Sequence, residues 1–412
     1  MQTIHINLIS DQIIPNLIPT FADPNCSGAI LVFGDSTLDT KGDRLEEIYQ
    51  QRGVPVLWRS HGKSSHHLPT LKQQAQDLLN YLTEHHIDKR WVLNATCGTK
   101  PMSLAMTLAF YQHNANLPQD GEQALILYTD SQNKAIPILN ENIDFQLPYE
   151  SVLTLEELLA ANGFWLTDST DQENDSVVHD RAELTLFLGQ QFAGPCQNML
   201  GSLQAMASTA AKDFPTNQQQ QMKQIPRGPF VQVYTKLAQA GLINWQEESK
   251  QIQFCSEDAC RYLAGLWLEE LTYLQALQCG FEQVAMSVEG VWGTKMDQHR
   301  ALMQGRSDKG KNNEFDLLIR HKNQLLIIEC KARYWGADGK QQGVSNDQDT
   351  LHKLDTLGNK LGGLYARNLL ISAYEVNASM VNRAKVNRIQ VCDRVNANKI
   401  KQCLYELKQA MD

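Results

Sequence analysis

Two short apolar runs joined by a polar turn limit most strongly what this chain can fold into. The runs span residues 314–320 and 325–331, and the turn at 321–324 predicts that they form a β-hairpin. Because side chains alternate between the faces of a strand, Glu329 and Lys331 share one face and Cys330 points to the other. The pattern therefore places Asp316, Glu329 and Lys331 on neighbouring strands that are otherwise apolar enough to be buried.

These three charged residues allow two interpretations. Buried charges are costly unless they are paired or bound to a metal. The two carboxylates suit an ion that prefers oxygen ligands, such as Mg²⁺ or Mn²⁺. An Asp/Glu/Lys salt-bridge cluster at a sheet edge would satisfy the same spacing. The spacing alone leaves both interpretations open.

Length and composition indicate a multidomain globular protein. The 412 residues exceed one ordinary core, so we expect two or three domains. No apolar run is long enough for a membrane span or a signal peptide. The nine cysteines include no C-x-x-C pair, and Cys255 with Cys260 lacks a matching second pair, which argues against a zinc site. Scattered cysteines are typical of a reducing compartment, so we expect a cytoplasmic protein.

Basic residues are concentrated near the predicted hairpin although the net charge is −9. The negative total argues against a nucleic-acid-binding coat over the whole surface. Between Val291 and Tyr334, however, there are nine basic residues and five acidic ones, and the region after Met380 is also basic. The nine are Lys295, Arg300, Arg306, Lys309, Lys311, Arg320, Lys322, Lys331 and Arg333. Such a cluster would suit a phosphate backbone, and a solvated charged face is the alternative.

The N-terminal part alternates strands and helices. Apolar runs at residues 4–9, 29–33, 91–94 and 124–128 predict strands, and residues 70–84 and 101–111 predict helices. This alternation predicts a parallel sheet with helices on both faces, a Rossmann-like arrangement. Ligands of such sheets bind at the carboxyl ends of the strands, at a topological switch point.

Two predicted strand ends carry polar groups that suit a ligand. The first strand is followed by Ser10, Asp11, Gln12 and Asn16, and the third by the run 94–102, which leads into a helix. That run offers hydroxyls, a glycine, Lys100 and a helix N-terminus, a combination that suits an anion. It is neither a Walker loop nor G-x-G-x-x-G, which disfavours an ATPase or a dinucleotide dehydrogenase. A simple capped turn is the alternative.

The middle of the chain has a different character. After a glutamine tract at 217–221, a predicted helix at 230–240 ends at Gly241, and runs at 242–245 and 251–254 predict a small hairpin. This order is typical of a winged helix. The helix has Lys236 as its only base and the wing tip is acidic, so we expect a linking or dimerising role rather than DNA reading.

The hairpin resembles the PD-(D/E)xK nuclease superfamily, which implies a restriction-endonuclease-like α/β domain. The resemblance implies that Asp316 and Glu329 bind a metal ion, with the backbone carbonyl of Cys330 as the third ligand. Lys331 would orient or help deprotonate the attacking water and stabilise charge on the phosphate. The superfamily often adds an acidic residue from the preceding helix, here predicted at 259–279. Helical periodicity favours Glu270 and the family's W-L-E pattern favours Glu269, so both remain candidates.

The chain as a whole resembles the CRISPR-associated CARF-domain nucleases of the Card/Can type. The resemblance rests on the two N-terminal strand ends, on Trp267-Leu268-Glu269-Glu270, on the hairpin, and on Lys353-Leu354 with Lys360-Leu361-Gly362-Gly363. It implies a CARF domain at 1–150, a winged-helix-like linker at 151–257 and a nuclease domain at 258–412. Cys97 is a departure, since the family usually has a small residue there, and it could alter ligand-ring size or affinity.

The resemblance implies a homodimeric endonuclease of type III CRISPR defence that a cyclic oligoadenylate, most often the tetra-adenylate, activates. The activator would bind residues of the two strand ends: Ser10, Asp11, Gln12, Asn16, Thr96, Cys97, Gly98, Thr99, Lys100 and Met102. A DNA-binding regulator with an inactive nuclease-like domain and an activator-independent restriction-type enzyme are the alternatives. The sequence does not decide between RNA, single-stranded DNA and duplex substrates. Trp292, Tyr334 and Trp335 could stack on unpaired bases, although packing roles are more common for such residues.

Overall fold

The computed structural model describes residues 1–118, 121–140, 145–194, 196–293, 313–335 and 341–412, with the backbone alone at 341–348. Within these residues, the chain folds into two compact units. The first comprises residues 1–166, the described part of 290–312, and 361–365. The second comprises residues 167–289, 313–360 and 366–412 without the gaps given above. In the described part of the chain, no helix combines the length and the hydropathy that a membrane span needs.

The first unit is built on a five-stranded parallel sheet. Its elements in chain order are β1 (Thr3–Leu8), α1 (Ile14–Ala22), β2 (Cys26–Phe33), α2 (Asp39–Gln51), β3 (Val56–His61), α3 (Leu68–His85), β4 (Arg90–Asn94), α4 (Lys100–Ala115), β5 (Leu125–Leu127) and α5 (Leu155–Ala161). The strand order is β3-β2-β1-β4-β5. The parallel sheet predicted from the sequence is therefore confirmed. Strand β3 was not among the predicted strands, and it lies at the sheet edge.

Both faces of this sheet are covered by helices. One buried cluster joins Leu31 and Phe33 to residues of α1, α2 and α5, and the other joins Ile4, Ile6 and Leu93 to residues of α3 and α4. Apolar residues on both faces explain why the strands are nearly continuous hydrophobic runs. The chain leaves β1 toward one side of the sheet and returns in β4 on the other, so β1 and β4 flank the topological switch point.

A buried acid ties the start of β1 to the end of α1. Asp23 accepts hydrogen bonds from Thr3 Oγ1 at 2.5 Å and from the Asn25 amide at 2.9 Å, and it contacts His5 Nε2 at 2.9 Å. Burial alone would raise the pKa of Asp23, but the partners His5 and Thr3 outweigh it and hold that pKa below its usual range.

We expect Asp23→Asn to lower the free energy of unfolding at pH 7 by about 1–3 kcal/mol, because buried donors lose an ionised acceptor. A lowered folded-state pKa stabilises the fold fully above the unfolded pKa, and this contribution is lost as pH falls through the folded pKa. The difference between wild type and variant should therefore shrink below about pH 4. Thermal unfolding across pH measures it, with Asp77→Asn on the exposed face of α3 as the control. A pH-independent difference would contradict the assigned charge state.

The second unit contains most of a mixed six-stranded sheet. Its helices and strands are β6 (Phe164–Thr170, which begins in the first unit), α6 (Ser176–Asp180), α7 (Ala182–Phe192), α8 (Gln197–Lys212), β7 (Gln219–Gln221), α9 (Pro229–Gln239), β8 (Ile243–Asn244), β9 (Gln251–Phe254), α10 (Glu257–Arg261), α11 (Trp267–Cys279), β10 (Gln283–Trp292), β11 (Asn313–His321), β12 (Gln324–Lys331), α12 (Gln341–Leu361), β13 (Ala366–Ser372), α13 (Ala378–Val386), β14 (Ile389–Cys392) and α14 (Ala397–Met411). The sheet order is β14-β13-β12-β11-β10-β6. Strands β11 and β12 are antiparallel neighbours in the interior of this sheet.

The predicted hairpin is confirmed, and its turn explains its register. His321 pairs with Gln324, so only Lys322 and Asn323 form the loop. Both have positive φ, 50° and 59°, which is the conformation of a type I′ turn. That turn has the twist of an antiparallel pair, and it fixes Leu317 opposite Ile328. The next pair of positions along the ladder is Asp316 and Glu329.

The expected helix followed by a small hairpin is also present. Helix α9 precedes Gly241, whose φ of 70° is the left-handed conformation that ends helices. Strands β8 and β9 then pair antiparallel. Residues 219–221 of the glutamine tract form β7, which pairs antiparallel with β9.

Candidate functional site

The hairpin brings the predicted acid-acid-lysine set together. Lys331 Nζ lies 2.6 Å from Glu329 Oε1, 3.5 Å from Asp316 Oδ2 and 3.2 Å from the Cys330 carbonyl oxygen. The Cys330 amide donates to Asp316 Oδ2 at 2.6 Å. The side chain of Cys330 points away, toward Thr272 of α11, with its sulfur 3.6 Å from Thr272 Oγ1. One ammonium thus contacts two carboxylates and a carbonyl oxygen.

The salt-bridge interpretation placed this cluster at a sheet edge, but β11 and β12 are interior strands. The side chains of Asp316 and Glu329 are only 16% and 10% exposed. Two carboxylates around one lysine leave an uncompensated negative charge in a position where charge is costly. Ion pairing alone therefore accounts poorly for the composition of the cluster.

Adjacent glutamates of α11 have different surroundings. Glu270 is buried, and Arg181 Nε lies 2.9 and 3.0 Å from its two carboxylate oxygens. Thr185 Oγ1 also donates to Glu270 at 3.3 Å, and Arg181 binds Asp258 at 2.9 Å. Glu270 is therefore held in an ion pair with a hydrogen-bonded arginine.

Glu269 instead interacts electrostatically with the charged residues of the hairpin. Burial raises the pKa of Glu269 well above its ordinary value, and the negative charge of Asp316 raises it further. Lys331 opposes this shift. A single π-helical turn at Tyr262–Leu266 precedes α11, so the predicted continuous helix 259–279 is interrupted. π-Helical turns occur frequently at functional sites.

The Asp316 carboxyl of the hairpin is also difficult to ionise. Burial, together with the charge of Glu329, raises the pKa of Asp316 to about 6. Among the described residues, no three acidic, histidine or cysteine side chains already form a metal-binding group. The donors are nevertheless carboxylate and carbonyl oxygens, which hard divalent cations prefer, and their excess negative charge is what such a cation neutralises. The residues therefore fit a divalent metal ion.

The predicted ligand-binding loops lie side by side at the switch point of the parallel sheet. Residues 10–13 follow β1 and residues 95–99 follow β4, and these strands are direct neighbours. Cys97 Sγ lies 3.2 Å from the Gln12 carbonyl oxygen, which joins the two loops. Thr99 caps α4 by accepting a hydrogen bond from the Met102 amide at 3.4 Å. Gly98 has a φ of 78°, a conformation that favours glycine.

The ten predicted activator-binding residues fall into two groups. Asn16, Cys97 and Met102 are buried, and Asn16 supports the loops by donating to the Leu8 carbonyl oxygen at 2.9 Å. The others are exposed or half-buried: Ser10, Asp11, Gln12, Thr96, Gly98, Thr99 and Lys100. The structure therefore brings the ten residues together and leaves seven of them accessible at the carboxyl end of the sheet.

Sequence reasoning missed further polar groups at the same sheet edge. Asp35 follows β2 and Ser65 follows β3; Ser65 Oγ donates to Asp35, and Thr99 Oγ1 donates to the Ser65 carbonyl oxygen. Lys41 Nζ donates to the Asp11 carbonyl oxygen at 3.1 Å. The signal was available, because each of these strands is followed by a glycine and a polar cluster, as in Gly34-Asp35-Ser36 and Gly62-Lys63-Ser64-Ser65.

The predicted basic region is only partly described. Lys295, Arg300, Arg306, Lys309 and Lys311 lie outside the described residues, as do Asp297 and Asp308. Of the others, Arg320 Nη1 binds Glu282 at 2.6 Å. Arg320 thus serves the strand packing, and Lys331 is the basic residue that lies within the acidic cluster.

Comparisons with known proteins match both units. A family model described as the Card1 CARF domain matches residues 4–158, and one described as a Card1-like endonuclease domain matches residues 256–411. No curated protein sequence matches the chain.

Solved structures share the fold over at least 92% of the chain. Can2 from Sulfobacillus thermosulfidooxidans, solved in complex with cyclic tetra-adenylate, is 22% identical with a TM-score of 0.72, covering 99% of this chain and 96% of Can2. Protein VC1899 from Vibrio cholerae is 20% identical with a TM-score of 0.76, covering 99% and 98%. A type III CRISPR defence DNA nuclease activated by cyclic oligoadenylate is 16% identical with a TM-score of 0.51, covering 92% of this chain and 46% of that nuclease.

The matched ranges hold the switch-point loops at one end of the chain and the acidic hairpin at the other. Together the two family models span most of the 412 residues. We conclude that the chain belongs to the CARF-domain endonucleases of the Card/Can type.

Proposed function

We propose that this chain is a metal-dependent endonuclease of type III CRISPR defence that cyclic tetra-adenylate activates and that cleaves RNA or DNA phosphodiesters. The observation that carries the proposal is the excess of buried carboxylates around Lys331 on interior strands. Similarity to Can2, solved with cyclic tetra-adenylate, supports the choice of activator. The boundaries 1–150, 151–257 and 258–412 are our proposed division into sensor, linker and nuclease.

In the nuclease unit, Asp316, Glu329 and the Cys330 carbonyl oxygen would hold Mn²⁺ or Mg²⁺, and Glu269 is the proposed additional carboxylate. The ion would supply Lewis-acid activation of water and of the phosphate oxygen. Burial alone would lower the pKa of Lys331, but the charges of Asp316 and Glu329 outweigh it and raise that pKa. The Lys331 ammonium would stabilise the charge that develops on the phosphate and would orient the attacking water.

In the sensor unit, the seven accessible loop residues would contact the activator, and its phosphates would meet Lys100 and the N-terminus of α4. A two-fold homodimer would present two copies of this edge to a ring that can share the same symmetry. The activator would switch the nuclease only if it binds one arrangement of the dimer more tightly than another.

One experiment tests the function as a whole. Purified protein is mixed with Mn²⁺ or Mg²⁺, each cyclic oligoadenylate in turn, and labelled RNA, single-stranded DNA or plasmid. We expect cleavage only when a divalent ion and the tetra-adenylate are both present. Cleavage without nucleotide would instead indicate an activator-independent restriction-type enzyme. Binding of duplex without scission under every condition would indicate a regulator.

Lys100→Ala should weaken activator binding about ten-fold or more, because the phosphate loses a charge-assisted partner at the helix N-terminus. Isothermal titration with cyclic tetra-adenylate measures the dissociation constant directly. Lys72→Ala, which removes an exposed lysine of α3 in the same unit, is the control. Equal affinity in wild type and Lys100→Ala would remove Lys100 from the site.

A further inference from the structure

An exposed tyrosine lies at the carboxyl end of the strand that carries Glu329 and Lys331. Lys331 ends β12, and Tyr334 follows three residues later with 57% of its surface exposed. On the neighbouring strand, Ser372 pairs with Lys331, and the Ala373 amide donates to the Lys331 carbonyl oxygen at 3.1 Å. Tyr374 comes next. Because Tyr334 is three residues after Lys331, the Cα atoms of the two residues are at most roughly 11 Å apart.

A ring contact and a hydrogen bond hold the side chain of Tyr334 in place. Its centroid lies 3.9 Å from that of Tyr374, with 35° between the planes. Its hydroxyl donates to Asn198 Oδ1 of α8 at 2.8 Å. Gly201, one turn further along α8, leaves room for the pair, since a Cβ there would lie 2.5 Å from the Tyr374 hydroxyl and 3.3 Å from Tyr334 Cε2.

The pair is supported by aromatic residues beneath it. Tyr374 is buried and meets Phe192 edge-on with 6.1 Å between centroids. Phe192 in turn stacks on Trp267 at 4.3 Å and 19°. Trp267 begins α11, two residues before Glu269. Tyr334 is thus the solvent-facing end of a row of packed aromatic rings that reaches the first residue of α11.

The two tryptophans singled out with Tyr334 in the sequence have packing roles. Trp335 is buried and donates from Nε1 to Ser372 Oγ at 2.7 Å. Trp292 is half-buried against Phe164. A large aromatic ring that is held in place yet exposed can bind a planar partner with little loss of side-chain freedom.

We propose that Tyr334 stacks on a nucleobase beside the scissile phosphodiester and so positions the substrate strand against Lys331. This inference rests on the proposed nuclease function, because it needs a nucleic-acid strand at the hairpin. Base stacking on an aromatic side chain is largely independent of the base, since every base has a π-face. The contact would therefore require a base at that position without selecting its identity.

The test uses activated full-length protein and short single-stranded oligonucleotides in which one abasic site is moved along the strand. We expect wild type to lose cleavage at phosphodiesters at a fixed offset from the abasic site. Tyr334→Ala should reduce kcat/KM about 5- to 100-fold on intact strands and respond far less to the abasic position. Tyr334→Phe, which keeps the ring, should retain the wild-type dependence. Tyr405→Ala, which removes a 53%-exposed tyrosine of α14, is the matched control.

A second readout does not depend on cleavage. In a Glu329→Gln background, a substrate with one 2-aminopurine should be quenched on binding at the stacked position, and this quenching should be lost on adding Tyr334→Ala. Tyr334→Leu, which keeps an apolar side chain over Tyr374, serves if the alanine variant is unstable. The stacking role would be overturned if Tyr334→Ala and Tyr334→Leu both kept the wild-type kcat/KM, the wild-type dependence on the abasic position and the wild-type quenching. A wild-type protein that cleaves plasmid but none of the intact strands would also overturn the stacking role, and one that cleaves neither these strands nor RNA nor plasmid would overturn the nuclease proposal itself.

Discussion

Glu329→Gln is expected to reduce cleavage by roughly 10²- to 10³-fold while leaving activator affinity unchanged. The substitution keeps the shape of the side chain but removes one of the charges proposed to hold the metal ion, and electrostatic groups of this kind contribute about 3–4 kcal/mol to transition-state stabilisation. It also removes the partner 2.6 Å from Lys331 Nζ. Initial rates with saturating cyclic tetra-adenylate and Mn²⁺ measure the loss.

Glu289→Gln is the matched control, since Glu289 is an exposed glutamate of β10 in the same unit. It should cleave at the wild-type rate. Activator titration of the Glu329→Gln protein separates a lost active site from a lost sensor. Cleavage by Glu329→Gln within ten-fold of wild type would remove Glu329 from the proposed metal ligands.

The neighbouring glutamates Glu269 and Glu270 should give opposite results when each is replaced by glutamine. Glu269→Gln should abolish most cleavage without lowering stability. An acid whose folded-state pKa is raised costs stability at pH values above its unfolded pKa, and the pKa of Glu269 is raised by burial and by Asp316. At neutral pH in metal-free buffer, the variant should therefore unfold at the same temperature as wild type or higher.

Glu270→Gln should instead destabilise the second unit. It leaves the half-buried Arg181 with Asp258 as its remaining acidic partner. Burial raises the pKa of Glu270 too, but several donors lose an ionised acceptor, which costs about 1–3 kcal/mol. For a unit of this size, each kcal/mol corresponds to about 2–4 °C in Tm. Thermal unfolding gives the stability of both variants, and cleavage is assayed well below either transition. If Glu270→Gln lost cleavage at an unchanged Tm and Glu269→Gln did not, Glu270 would be the additional carboxylate of the site instead of Glu269.

These glutamates also show what periodicity can and cannot predict. The helical pattern placed Glu270 in the apolar stripe, and the structure buries it there. Periodicity identifies the buried face, but it carries no information about the charge that packs against it. Arg181 lies 89 residues away in the sequence. Such a distant pairing becomes visible only in the folded chain.

Local signals were sufficient elsewhere. Apolar runs around a two-residue turn predicted the hairpin, and the strand ends predicted the loops at the switch point, because both depend on neighbours in the sequence. Strand β3 was missed because it is an edge strand whose residues, including Arg59 and Ser60, are not a continuous apolar run. The positions of Asp35 and Ser65 at the carboxyl end of the sheet were missed for the same reason, because Ser65 follows β3.

A short segment passes from one unit to the other and back. Residues 361–365 belong to the first unit, whereas the helix before and the strand after them belong to the second. Gly363, with a φ of 52°, approaches Gln12 so closely that a Cβ would lie 2.5 Å from Gln12 Nε2. Three residues later β13 begins at Ala366, and it pairs with β12 as far as Ser372 opposite Lys331. A side chain at position 363 would strain the backbone and displace the Gln12 amide from the loop that follows β1.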